Sequence, residues 1–230
     1  MFGHLIQSRI VRNARKSIFY SVFADETTDI CQIEQFSLCV RYVEDQSYKI
    51  REDFLTFVPV SDVTGAGLAN TVLETLSILG LDLKKMRGQG YDGASTMRGQ
   101  FREERFESHK ETVASLQHIL PEFCTKTDFY SLEAAFNFYE EHLLHKEVMQ
   151  SEFMLWKEKW SQEKDENLPK TASSSLEKCD KTFFPNIYIL LKLLAVLSVS
   201  VATVERSFLR NTTSESRLNG LALLSIHLSH

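Results

Sequence analysis

The spacing of apolar residues changes twice within the first part of the chain. Ile18 to Ala24 is rich in aromatic and β-branched residues, which suits a strand. Phe36, Leu38, Val40 and Tyr42 alternate with polar neighbours across Glu34–Glu44, the mark of a half-buried strand. Phe54, Phe57 and Val58 carry strand character across Ile50–Val60, which closes at Pro59. The period then lengthens, and Leu68, Val72, Leu76 and Leu79 fall on one stripe of a helix. Asp62 or Thr64 can cap that helix, and Gly80 stops it. Lys85–Tyr91 reads as a fourth strand, and a short polar helix over Arg9–Ser17 leads into the first. The predicted class is α/β. The first three strands form an antiparallel meander, and the crossover helix brings the fourth to lie beside the first.

Beyond residue 100 the pattern becomes helical. Phe101–Gln117 is polar and charged and reads as a solvated helix or a linker. A long helical pattern follows Asp128, with Leu132, Phe136, Tyr139 and Leu143 on one stripe and Met149, Phe153, Trp156 and Trp160 on a related one. Ser161–Lys181, rich in Ser, Lys and Glu, reads as a mobile connection. Phe183–Val204 is nearly continuous in apolar residues and approaches the length that spans a bilayer. Lys192 near its middle and Pro185 with Asn186 at its start favour instead a buried helix over Asn186–Leu197, followed by a second element from Val199. No membrane association is expected.

Composition excludes some classes. A chain of 230 residues with ordinary apolar, charged and aromatic fractions supports a real core and argues against wholesale disorder. Its formal net charge of −5 leaves DNA binding without electrostatic support, because autonomous nucleic-acid binders usually carry a basic surplus. The basic run Arg9–Lys16 is equally explained by the solvated face of a helix. Cys31, Cys39, Cys124 and Cys179 form no CxxC pair and have no zinc-finger histidines. They read as buried structural thiols in a reducing compartment, nucleus or cytoplasm. His142 and His145 could share a metal at helical spacing, but without a third ligand they read as surface histidines.

Candidate chemistry rests on three strings. Phe23-Ala24-Asp25-Glu26-Thr27-Thr28-Asp29 and Gly90-Tyr91-Asp92-Gly93-Ala94-Ser95-Thr96-Met97 each place an aspartate at the end of an apolar run. The predicted strand order sets those ends side by side, and paired carboxylates suit divalent metals. Ser200-Val201-Ala202-Thr203-Val204-Glu205-Arg206-Ser207-Phe208 supplies a further acid. Taken singly, Asp25 could simply end a strand, Asp92 could seed a turn, and Glu205 could sit on a helix surface. The ordered set resembles the acidic triad of hAT-family transposases. Ile18–Gln100 resembles the start of the catalytic core in hAT-derived proteins related to zinc-finger MYM-type factors. Thr182–His227, with Phe183-Phe184-Pro185-Asn186 and Arg217-Leu218-Asn219-Gly220-Leu221-Ala222-Leu223-Leu224-Ser225-Ile226-His227, resembles the hAT C-terminal dimerisation region.

The resemblance implies an RNase H-like mixed sheet (β-β-β-α-β) followed by a helical C-terminal region. It divides the chain into a transposase-core part over 1–100, a helical remnant and linker over 101–181, and a dimerisation region over 182–230. It also implies Asp25, Asp92 and Glu205 as catalytic and metal-binding residues, holding Mg²⁺ or Mn²⁺ for two-metal phosphoryl transfer. Departures from the family weigh against present-day transposition. The long insertion with a Cys/His motif expected after Asp92 is absent, as is the upstream zinc finger, and residues are missing after Phe208, beside Glu205. The expectation is therefore a domesticated or degenerate transposase-like protein that is no longer an enzyme and pairs as a homodimer or with another hAT-like protein. Phe184, Ile187, Leu190, Leu191, Leu194, Leu221, Leu224 and Ile226 are its candidate core and pairing residues. A residual metal-dependent nuclease or strand-transfer activity, or a truncated remnant, is the alternative.

Overall fold

A computed structural model of the chain describes residues 2–28, 34–62, 64–91 and 112–197. Helix α1 (Phe2–Lys16) precedes strands β1 (Tyr20–Thr28), β2 (Glu34–Val43) and β3 (Ile50–Pro59). Helix α2 (Gly65–Ile78) then leads through a 3-10 turn to β4 (Met86–Tyr91). The four strands make one sheet in the order β3-β2-β1-β4. β1 is antiparallel to β2 and parallel to β4, and β2 is antiparallel to β3. This is the meander with a returning fourth strand that the sequence pattern predicts, an RNase-like mixed sheet followed by helices.

Local chemistry sets the boundaries. Thr64 caps α2 by accepting from the Gly67 amide at 3.2 Å, while the Asp62 carboxylate accepts from the Thr64 amide at 2.9 Å. Both candidate residues therefore serve the same helix start. Those hydrogen bonds from Thr64 hold the exposed Asp62 carboxyl below its ordinary value. At the other end Gly80 adopts φ +71°, and the Leu81 amide reaches back to the Leu76 carbonyl at 2.9 Å. That left-handed closure favours glycine, and a Cβ there would also collide with the Arg15 guanidinium at 2.1 Å.

Two edges differ from the sequence reading. β1 extends to Thr28, so Asp25 lies inside the strand rather than ending it. Pairing with β2 continues as far as Thr28↔Glu34, whereas the parallel pairing with β4 stops at Ala24↔Tyr91. α1 starts at Phe2 instead of Arg9, and its first turns carry exposed Leu5 and Ile6. Gln7 nevertheless ties it to the sheet, donating to the Leu55 carbonyl at 3.1 Å.

Period-two alternation gives the sheet two buried faces. Tyr20, Val22 and Ala24 of β1 and Leu38, Val40 and Tyr42 of β2 pack with Val11 and Ala14 of α1 and with Leu68, Val72 and Leu76 of α2. The opposite face meets the helical half of the chain. That half comprises α3 (described over 112–116), α4 (Pro121–Cys124), α5 (Glu133–Phe138), α6 (Met149–Ser161), α7 (Ala172–Glu177) and α8 (Pro185–Val196). α8 lies against β2 and β4 on one side and α6 and α7 on the other. At Gly88 of β4 a Cβ would stand 2.7 Å from Ser21 Oγ of the neighbouring β1, while Leu197 at 3.7 Å would be in ordinary contact. Arg41 of β2 donates from Nε to the Ala195 carbonyl at 3.1 Å, fastening the end of α8 to the sheet.

The helical half corrects two expectations. The long helix expected after Asp128 is a series of short helices and 3-10 turns, broken at His145 with φ +49°. Its stripes still face inward: Leu132, Tyr139, Leu143, Met149, Phe153, Trp156 and Trp160 are all buried. Residues 161–181 are packed rather than a loose tether. Leu168, Ala172, Leu176 and Cys179 join the core, and Thr171 with Ser174 forms a reciprocal cap on α7. Likewise 112–116 is helical, with Val113 and Leu116 buried; residues 101–111 lie outside the described residues. Among the described residues no helix is long and apolar enough to cross a membrane.

Candidate functional site

The sheet frames the positions of the first two candidate acids. Asp25 sits in β1 opposite Ser37 of β2. Its predecessor Ala24 pairs in parallel with Tyr91, the residue before Asp92 in sequence. Adjacent strands lie about 4.8 Å apart, so the two aspartates follow a pair of neighbouring backbone positions. The side chain of Asp25 is not among those described, and Asp92 and Glu205 lie outside the described residues. Among the described residues no group of three His, Cys, Asp or Glu could hold a metal ion. Leu221, Leu224 and Ile226 of the predicted dimerisation region also lie outside the described residues.

The remaining candidates are placed. Ile187, Leu190, Leu191 and Leu194 are buried inside the chain's own core, and Phe184 packs partly buried against it. Cys39, Cys124 and Cys179 are buried thiols, as expected, while Cys31 lies outside the described residues. Burial pushes the Cys124 and Cys179 thiols up to about 12, which keeps them protonated and unreactive. His145 is exposed as predicted, but His142 is half-buried and engaged rather than a free surface residue. Its ring stands edge-on to Phe19 at 5.5 Å and touches Arg87 of β4.

Three polar ties have partners far apart along the chain; two join the sheet to the helical half and one joins two helices within that half. The first joins Lys192 in the middle of α8 to Asp45 in the β2–β3 turn; the lysine is 2% exposed and also faces the Tyr188 ring at 5.1 Å. The second is Glu152 of α6, whose carboxylate accepts from the Ile187 amide at 2.8 Å and from Asn186 Nδ2 at 3.0 Å. It supplies from another helix the N-terminal cap that α8 lacks locally. Burial pushes its carboxyl above the ordinary value, against the pull of those hydrogen bonds. The third is the contact of Arg87 with His142. Lys192 carried a sequence signal, a charge within an apolar run, but its partner is far away along the chain. Arg87 and Glu152 carried none, since their partners are set by packing alone.

Known proteins agree with this frame. A protein named 52 kDa repressor of the inhibitor of the protein kinase, from Mus musculus and from Homo sapiens, is 36% identical to the chain over 99 residues in each species. The similarity covers 39% of this chain and 13% of the relative, so the chain matches a small part of those proteins. Residues 3–103 match the family described as DUF4371: ZMYM1/FAM200, RNase-like domain. Over residues 3–103 the four-stranded sheet with its helices is therefore similar to the RNase-like domain of a hAT-transposase-related family.

Proposed function

We propose that this chain is a domesticated derivative of a hAT transposase that works by protein association rather than by DNA chemistry. The observation that carries this reading is the coincidence of the RNase-like family match with the transposase-type strand order β3-β2-β1-β4. The relatives' name, a repressor, fits a role exerted by binding. Association is assigned to Leu221, Leu224 and Ile226, as a homodimer or with another hAT-like protein. Ile187, Leu190, Leu191 and Leu194, the other apolar residues of that region, are already consumed by the chain's own core. Light scattering after size exclusion should show a species larger than the monomer, and Leu221→Asp with Leu224→Asp should shift it to monomer. A wild-type chain that stays monomeric at tens of micromolar overturns the proposal.

The parallel register favours a second reading. Ala24↔Tyr91 pairing supports an ancestral site in which Asp25 and Asp92 would hold divalent metal with Glu205. Two aspartates and a glutamate are hard oxygen donors suited to Mg²⁺ or Mn²⁺, and the bound ions would supply an activated nucleophile and stabilise a leaving oxygen. If this metal site survives, Asp25→Asn and Asp92→Asn should each weaken Mn²⁺ binding at least tenfold in isothermal titration. Equal weak binding by wild type and both variants would eliminate this reading while leaving association untouched.

A further inference from the structure

We propose that His142 is a proton-operated latch between the RNase-like sheet and the helical half. Its Nε2 atom faces two groups that make opposite demands. Arg87 Nη2, from β4, can only donate a hydrogen bond. Glu141 Oε1, 3.0 Å away on the same 3-10 turn, can only accept one. One ring nitrogen cannot satisfy both. When neutral, with its proton on Nδ1, His142 accepts from Arg87 and the sheet is tied to the turn Glu140–His142. When protonated, Nε2–H turns to the Glu141 carboxylate and the imidazolium confronts the guanidinium.

The surroundings make the contest consequential. Arg87 is held in place from behind, donating through Nη1 to the Lys84 and Met86 carbonyls and lying over the Phe19 ring at 4.9 Å. The same ring packs edge-on to His142, so neither group can withdraw without leaving Phe19. Other charges around the pair are Asp82 and the Tyr139 hydroxyl, which act on Arg87, and Glu141, which acts on both. Lys146 is already paired with Glu140 at 2.8 Å. Partial burial first, and Arg87 second, hold the His142 imidazole below its ordinary value against the opposing pull of Glu141. The sign follows from linkage. The unfolded or detached state binds the proton more readily, so the tie is at full strength above about pH 6.5. It weakens as pH falls from there through the lower value of the attached histidine.

Hydrogen exchange of the 230-residue chain tests this at the β4 amides of Met86 to Gln89. Their opening constant should rise as pH falls through that window, with a slope of at most about tenfold per pH unit for one proton. His142→Gln should abolish the slope, because a side-chain amide can accept from Arg87 and donate to Glu141 at once. His118 also titrates below its ordinary value but is present in both proteins, so it cancels in the difference. The nitrogen chemical shifts of His142 in the unaltered protein give a second readout independent of the variant's folding. They should report a neutral ring with the proton on Nδ1 near neutral pH, and Arg87 Nε should shift with the same midpoint. Identical exchange slopes in wild type and His142→Gln, or a His142 ring that titrates without any response at Arg87, overturns the latch.

Discussion

Replacing Glu152 with alanine should destabilise the protein by about 3 kcal/mol, since a buried helix start would lose the carboxylate that caps it from another helix. The side chain is 4% exposed, and both of its oxygens are used. α8 begins at Phe184-Pro185 without an acidic first turn and without a side-chain cap of its own. Truncation would leave the Ile187 amide unpaired and strip one partner from Asn186 Nδ2, whose other acceptor is the His145 carbonyl at 3.2 Å. Urea unfolding monitored by tryptophan fluorescence measures the loss, because Trp156 and Trp160 share the same core. Glu152→Gln should cost less, for one oxygen still accepts. Its pH dependence has a definite sign. A buried carboxyl raised above its unfolded value makes folding less favourable as pH rises through the interval between the two. The glutamine variant lacks that penalty, so it should gain on the wild type between acidic and neutral pH. A gap that widens toward neutral pH would show that the cap contributes chiefly as an anion.

Removing Asp45 and removing Lys192 should have opposite consequences. Asp45→Ala leaves an ammonium stranded in the middle of α8, with the Tyr188 ring as its remaining partner, and should cost about 2–3 kcal/mol. The upper end seen for broken buried pairs is not expected, because the aspartate side is half exposed and water can reach it. Lys192→Met keeps the stem's packing and removes the charge, so it should be neutral or stabilising by about 1 kcal/mol. Asp45→Ala made in the Lys192→Met background should then add almost nothing. Chemical denaturation of the four proteins closes the double-mutant cycle; additive losses would mean that the two side chains act independently.

The parts of the fold that were legible are those where a residue's fate is settled by its immediate neighbours. Leu38, Val40 and Tyr42 alternate, and they form the buried side of β2. Leu68, Val72 and Leu76 recur at helical spacing, and they form the buried side of α2. Legibility fails where the deciding partner is distant. Glu26, Thr27 and Thr28 carry no apolar alternation, yet pairing with Phe36, Gln35 and Glu34 extends β1 through them. A continuous helical stripe after Asp128 survives as a buried stripe, though the backbone breaks at His145, which no local composition announces. Residues 161–181 look like a solvated tether by composition, but a few apolar residues, Leu168 and Leu176 among them, suffice to dock them. The candidate acids show the same division. The pairing of β1, which carries Asp25, beside β4 could be read from strand order alone, whereas the ties that set the sheet against the helices join residues with no periodic relation.

The position of α8 separates two ways of cutting this chain into units. Similarity to the RNase-like family ends at residue 103, as though the sheet and its first two helices were self-sufficient. Physically they are not, because the second face of that sheet is roofed by a helix drawn from residues 185–196. A polypeptide released after residue 103 would present Phe19 and Val43, which pack with the core of the helical half, to water. The stretch similar to the family is thus shorter than the folding unit. Sequence drift in the helical half is consequently constrained by the need to keep the second face of the sheet covered.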